Sequence, residues 1–221
     1  MHDTLLREET TTLNVAHPDN ASRVHAPAHQ HHASYTSIRM AQQMSKAYLL
    51  TGKPRVGKTT AIKKIIDALG IEHCGGFYTE EVYVQERRVG FRLVTLDGRH
   101  GLLAHVSSES RIRVGRYGVN LDCLESIGLA ALYEAMATKD LIIFDEIGPM
   151  EMYSERFKRT IMELLNSSRP LLGTIALKSD PWLDAIRQHE RVESYTLTLE
   201  NRNSIVDQLI RRLNSVIKDN R

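Results

Sequence analysis

Cysteine and net charge are both scarce in this 221-residue sequence, and each shortage excludes a class of protein. The two cysteines, Cys74 and Cys123, are too few for the disulfide framework of a small secreted scaffold, and they share no metal-ligand spacing. The 29 basic side chains nearly balance the 27 acidic ones, leaving a net charge of +2. The chain therefore carries no strong electrostatic signal for binding nucleic acid or an anionic membrane.

Long apolar runs are missing as well. No stretch approaches the ~18 apolar residues that a membrane helix needs, and the N-terminus lacks the apolar segment of a signal peptide. We therefore expect a cytoplasmic protein with no membrane partner, and the residues identify no protein partner. The part of the chain after residue 44 is long enough for one domain with its own core.

Residues 1–44 differ in composition from the rest of the chain. Threonine, alanine, serine, asparagine and histidine dominate this segment, and it has neither helical nor strand periodicity. Such a segment buries too little apolar surface to offset the entropy of ordering, so we predict a disordered, histidine-rich tail. Its His29, His31 and His32 can chelate a metal ion weakly, and a simple solvated tail is the alternative.

The most informative segment fits the pattern G-x-x-x-x-G-K-[ST] of the phosphate-binding loop called Walker A, or P-loop. It reads Gly52-Lys53-Pro54-Arg55-Val56-Gly57-Lys58-Thr59, and Thr60 follows it. A predicted strand precedes the loop, and apolar residues at helical spacing follow it up to Gly70. Backbone N–H groups at such a helix N-terminus bind phosphate oxygens. We expect residues 52–60 to bind the nucleotide, with Lys58 on the β- and γ-phosphates and the Thr59 hydroxyl on Mg²⁺.

A second motif, of the Walker B type, lies at Asp145-Glu146. The four residues before it, Leu141 to Phe144, are all apolar and predict a strand buried on both faces. Carboxylates at the carboxyl end of such a strand lie where α/β sheets bind ligands. We expect Asp145 to hold Mg²⁺ through a water and Glu146 to activate the water that attacks the γ-phosphate. An ordinary acidic loop after a strand is the alternative.

Alternating residues between the two motifs predict a β-rich insertion at about residues 75–106. A polar turn at 85–88 and the Asp97-Gly98 pair mark a hairpin meander. This insertion either walls one side of the nucleotide cleft or is structural padding. Of the arginines that follow it, Arg116 is our candidate for an arginine finger on the γ-phosphate, and a solvated surface role is the alternative.

Helical and strand patterns alternate through the remaining chain. Helices are predicted over 153–165 and 203–217, and strands over 171–177 and 194–199. This alternation predicts one α/β domain over residues 45–221, with a doubly wound, mostly parallel sheet. Arg202, at the start of the last helix, is a candidate contact for the base or the phosphates.

The chain resembles the small P-loop nucleoside-triphosphatases that include thermophile enzymes and the vertebrate cancer-related nucleoside-triphosphatase. The resemblance runs from about Lys46 to the C-terminus. Its specific strings are Gly75-Gly-Phe-Tyr-Thr-Glu-Glu81 and Asp145-Glu-Ile-Gly-Pro-Met-Glu151, supported by the phosphate loop, residues 89–98, residues 114–119 and Glu200-Asn-Arg202. The resemblance implies Mg²⁺-dependent hydrolysis of ATP, GTP and other nucleoside triphosphates to diphosphate and phosphate.

Two positions depart from this family. Arg55 stands where the family usually has glycine, and Ala176-Leu177 replaces a polar His-Arg pair at the tip of a strand expected between the two motif strands. Two other functions therefore stay open beside hydrolysis. One is a nucleoside or nucleotide kinase, which would need an acceptor pocket, and the other is a slow nucleotide-gated binding switch.

Overall fold

The computed structural model describes residues 45–219, so the predicted tail over residues 1–44 lies outside the described part. Five longer helices occur in this part: α1 (Lys58–Leu69), α2 (Leu129–Thr138), α3 (Glu155–Asn166), α4 (Pro181–Arg187) and α5 (Arg202–Asp219). The strands are β1 (Ala47–Thr51), β2 (Cys74–Val84), β3 (Arg87–Thr95), β4 (His100–His105), β5 (Arg113–Val114), β6 (Tyr117–Val119), β7 (Leu141–Ile147), β8 (Leu171–Ile175) and β9 (Val192–Thr196). Short helical segments at Leu121–Cys123 and Leu124–Gly128 lead into α2.

Within residues 45–219 the strands form one nine-stranded sheet in the order β5-β6-β4-β3-β2-β7-β8-β1-β9. The five strands from β2 to β9 in this order run parallel to one another. As expected, β8 lies between β1, which leads into the phosphate loop, and β7, which carries Asp145 and Glu146. Gly173 in β8 leaves room for a large neighbour, since a Cβ there would lie 2.2 Å from the Phe144 ring.

Helices cover both faces of this parallel region, and alternate residues of each strand point to opposite sides. In β1, Leu50 packs with the α1 and α5 side chains, while Leu49 belongs to the cluster that holds α2, α3 and α4. Both leucines are fully buried, which explains why β1 is apolar along its whole length instead of alternating. The structure is thus a mixed α/β fold with a mostly parallel sheet.

The other strands extend the sheet in antiparallel fashion beyond β2. Strand β2 pairs with β7 only as far as Phe77, and then continues to Val84 while paired with β3. Residues 78–84 therefore extend past their last β7 pair by about 20 Å at the usual rise per residue. The β2–β3 hairpin therefore projects beyond the carboxyl edge of the parallel strands. The structure adds β5 and β6 after residue 106, two short strands that the sequence pattern does not predict.

Candidate active site

The predicted phosphate loop joins β1 to α1 and depends on glycine at two positions. Gly52 has φ 147° and Gly57 has φ 100°, both in the region that favours glycine. A Cβ on Gly52 would also lie 2.7 Å from the Leu197 carbonyl oxygen, so no larger residue fits there. Val56 is buried and anchors the loop, whereas Lys53, Pro54 and Arg55 are exposed. The loop therefore presents its middle to solvent and its two ends to the protein.

Lys58 and Thr59, the first two residues of α1, point toward the end of β7. The Lys58 ammonium donates to the Gly52 carbonyl at 3.3 Å and lies 3.7 Å from a Glu146 carboxylate oxygen. The Thr59 hydroxyl donates to Asp145 at 2.6 Å. Both predicted motifs thus meet at one place at the carboxyl edge of the parallel strands.

Asp145 is buried and accepts hydrogen bonds from three elements of the fold. Thr59 in α1 and Thr174 in β8 donate side-chain hydroxyls to it, and Thr79 in β2 donates its backbone N–H. Burial raises the pKa of Asp145, and the two hydroxyls and the charge of Lys58 oppose that rise. A buried carboxylate with so many donors is held in one orientation.

Glu146 is less buried than Asp145, with about a third of its side chain exposed, and it lies toward solvent at the same edge. Burial raises its pKa, the nearby Asp145 carboxylate adds to the rise, and the Lys58 ammonium opposes it. A carboxylate with a raised pKa that remains in contact with solvent is suited to accept a proton from water.

Thr60 and Arg202 line a cavity of about 100 Å³ beside the N-terminus of α1. The Arg202 guanidinium donates to the Val56 carbonyl at 3.3 Å and would lie 3.3 Å from a Cβ on Gly57. The structure therefore brings Arg202, which is distant in sequence, against the phosphate loop.

Arg116 lies elsewhere, in the turn between β5 and β6. Its guanidinium donates to the Arg88 carbonyl on the β2–β3 hairpin and lies 5.2 Å from the Tyr117 ring centre. In the described part of the chain, Arg116 makes no hydrogen bond or ion pair with residues 52–60.

Each of the two departures from the family has a defined environment. Arg55 is exposed and has φ 65°, a conformation that favours glycine, and its charge acts on Glu81 at the hairpin. Ala176 is buried and its N–H donates to Ile147, whereas the Leu177 side chain is 56% exposed. An apolar side chain therefore faces solvent at the tip of β8.

Three residues at this site were not identified from the sequence. Thr174 is the only hydroxyl residue in the otherwise apolar stretch of β8, a signal that could have indicated its role. Thr79 acts through its backbone, so its side chain gives no signal. Glu151 lies inside a motif string, but its burial depends on packing.

Within residues 45–219, no three His, Cys, Asp or Glu side chains converge as a metal site would require. Among the same residues, every helix is too short or too polar to span a bilayer.

Comparisons with known proteins agree with this arrangement. The family model described as NTPase matches residues 47–210. Nucleoside-triphosphatase THEP1 of Thermotoga maritima is 44% identical over 173 residues, covering 78% of this chain and 96% of that protein. The cancer-related nucleoside-triphosphatase homolog of Mus musculus is 37% identical, covering 76% of this chain and 96% of that protein. The crystal structure of THEP1 from Aquifex aeolicus is similar with a TM-score of 0.68 at 34% identity, covering 75% of this chain and 98% of that chain.

Proposed function

Because this chain belongs to the NTPase family, as its motifs predicted, we propose that it hydrolyses nucleoside triphosphates, including ATP and GTP, to diphosphate and phosphate with Mg²⁺ as cofactor. One observation carries the proposal. The phosphate loop and the acidic end of β7, 86 residues apart, meet through the 2.6 Å hydrogen bond between Thr59 and Asp145. This contact joins a phosphate-binding loop to a pair of carboxylates at one edge of the sheet.

The phosphate groups are proposed to bind the loop from Gly52 to Thr60. The N-terminus of α1 offers unpaired N–H groups and a favourable dipole for negative charge. Lys58 would exchange its contact with Glu146 for the β- and γ-phosphates, since its ammonium lies between the loop and β7. Thr60 and Arg202 would bind the adjoining part of the nucleotide, because they line the same cavity.

The oxygen ligands present suit Mg²⁺, which prefers hard oxygen donors and keeps several waters and phosphate oxygens. We assign Thr59 and Asp145 to hold it, because their side-chain oxygens are already in contact. When bound, Mg²⁺ would neutralise charge that develops on the phosphate oxygens.

Glu146 is proposed to orient the attacking water and accept its proton. Its carboxylate lies at the carboxyl edge of β7, in contact with Lys58. Burial raises its pKa, which makes the carboxylate a better base near neutral pH. Arg116 stays a prediction outside this assignment, because its partner is the Arg88 carbonyl.

One experiment separates hydrolysis from its two rivals. Phosphate release would be measured with ATP, GTP, CTP and UTP, with and without Mg²⁺ and with nucleoside acceptors. Release without an acceptor supports hydrolysis, acceptor-dependent transfer supports a kinase, and tight binding with negligible release supports a binding switch.

Two variants test the assigned roles. Lys58→Ala should lose both nucleotide affinity and turnover. Glu146→Gln should keep Mg²⁺-nucleotide binding while its turnover falls by about 10² or more. Glu155→Gln, an exposed carboxylate change on α3, is the control and should behave as wild type.

We also propose that residues 45–221 form the catalytic domain and that residues 1–44 are a dispensable tail. Deleting 1–44 should leave the melting temperature and the hydrolysis rate nearly unchanged, and a large fall in either would contradict this division.

The proposed cytoplasmic location is supported by the two cysteines, which are both free and buried. Free thiols are typical of proteins in a reducing compartment.

A further inference from the structure

Glu151 is a buried carboxyl group that the proposed reaction does not yet use. It begins a short 3-10 helix, Glu151–Tyr153, that follows β7, and only 4% of the residue is exposed. Its carboxyl oxygens accept hydrogen bonds from its own backbone N–H and from that of Gly148. Within residues 45–219, no basic side chain forms an ion pair with it, which is unusual for a buried glutamate.

The turn between β7 and this helix brings Glu151 toward Glu146. A Cβ built on Gly148 would lie 3.2 Å from an oxygen of Glu146 and also 3.2 Å from an oxygen of Glu151. One oxygen of each carboxyl group therefore lies next to the same point, above Gly148. Gly148 is the residue that leaves this point open.

The charges around Glu151 are mostly negative. Burial raises its pKa to about 8, and the carboxylates of Glu146 and Asp145 contribute to the rise. Lys58 contacts Oε1 of Glu146, whereas Oε2 is the oxygen near Gly148. At neutral pH Glu151 therefore holds a proton that it can donate.

We propose that Glu151 is a positioning residue whose protonated carboxyl donates a hydrogen bond to the Glu146 carboxylate across Gly148, holding Glu146 toward the attacking water. Lys58 would hold one side of Glu146 and Glu151 the other. When a nucleotide draws Lys58 to the phosphates, Glu151 remains as the group that keeps Glu146 in place. This role rests on the proposed function, in which Glu146 is the base.

The first test compares two replacements of Glu151 in the full chain. Glu151→Gln keeps an N–H donor but cannot ionise, so kcat at pH 7 should stay within about threefold of wild type. Glu151→Met removes the donor at similar length, so kcat should fall tenfold or more while KM and nucleotide affinity stay within about twofold. Ser154→Ala, which removes the N-terminal cap of α3 nearby, is the control and should lower stability without changing kcat.

The second test uses the pH dependence of kcat. In wild type, ionisation of Glu151 at alkaline pH removes the donor and repels Glu146, so kcat should decline there. Glu151→Gln should lack this decline. A Glu151→Met enzyme with wild-type kcat, or a Glu151→Gln enzyme with the wild-type alkaline decline, would overturn the proposal.

A readout independent of hydrolysis separates this proposal from the proposed function. Infrared spectra of the folded wild-type protein at pH 7 should contain a protonated-carboxyl band that is missing from Glu151→Gln. Absence of that band overturns the role of Glu151 even if Glu146→Gln abolishes hydrolysis. Full turnover by Glu146→Gln would instead overturn the assignment of Glu146 as the catalytic base. The proposed role of Glu151 in positioning it would then fail as well.

Discussion

Replacing Arg191 by methionine should be one of the most destabilising single substitutions in this protein. Arg191 is only 2% exposed, and every hydrogen bond of its guanidinium goes to a backbone carbonyl. The acceptors are the carbonyl oxygens of Ser45 at 2.6 Å, Leu164 at 3.0 Å, Leu165 at 2.8 Å, Arg169 at 2.5 Å, and Ser167. These bonds join the end of α3, the chain leading to β8 and the chain leading to β1.

The size of the stability loss depends on how many of these carbonyl oxygens keep another hydrogen-bond donor. Leu164 keeps other donors, because the backbone N–H and the hydroxyl of Ser167 also bind its carbonyl. The carbonyls of Ser45, Leu165, Ser167 and Arg169 would lose the guanidinium. Leaving a buried acceptor unpaired costs about 1–3 kcal/mol, and loss of a cation near a helix C-terminus adds ~0.3–1 kcal/mol. The buried guanidinium also carries a desolvation cost, which lowers the pKa of Arg191 and disappears in the methionine variant. This gain offsets part of the lost hydrogen bonding, so we expect the free energy of unfolding to fall by about 3–5 kcal/mol.

The assay is urea unfolding of the full chain followed by circular dichroism. Arg159→Met is the matched control, because Arg159 lies exposed on α3, and its free energy of unfolding should change by less than ~0.5 kcal/mol. Arg191→Lys should lie between the two, since one ammonium cannot reach all the acceptors. A loss below about 1 kcal/mol for Arg191→Met would refute the reasoning. Nucleotide affinity of the folded variant should persist, because Arg191 bonds Ala47 at the start of β1, opposite the phosphate loop.

Three further predictions concern the site. Arg55→Gly should relieve the φ 65° backbone, leave nucleotide affinity within a few-fold and leave turnover equal or higher; a tenfold fall in kcat would instead make Arg55 catalytic. Arg202→Gln should weaken nucleotide binding about tenfold by calorimetry with little change in kcat, and unchanged affinity would remove Arg202 from the site. Glu151→Gln should become more stable than wild type as pH rises. The wild-type carboxyl is neutral when folded up to about pH 8 but ionises near pH 4.5 when unfolded, so wild-type stability falls across that window. The difference in unfolding free energy should grow by up to ~1.4 kcal/mol per pH unit, and parallel curves would contradict the raised pKa.

Features that depend on neighbours in the chain could be predicted from the sequence. The phosphate loop needs glycine at specific backbone angles, and the strand before Asp145 needs apolar residues on both faces, so both leave local patterns. The predicted helix over 203–217 corresponds to α5, and the strands over 171–177 and 194–199 correspond to β8 and β9 with shifted ends. The position of β8 between the motif strands also followed from the motifs and the family resemblance.

The partners of those residues were decided by tertiary structure. The Thr79 N–H reaches Asp145 only because β2 runs beside β7, and no side-chain pattern encodes a backbone donor. Arginine is usually found at the protein surface, yet Arg191 is buried because three chain segments converge on it. Glu151 approaches Glu146 only through the turn at Gly148. Periodicity and turn chemistry act over a few residues, whereas burial and long-range hydrogen bonds depend on how the whole sheet and its helices pack.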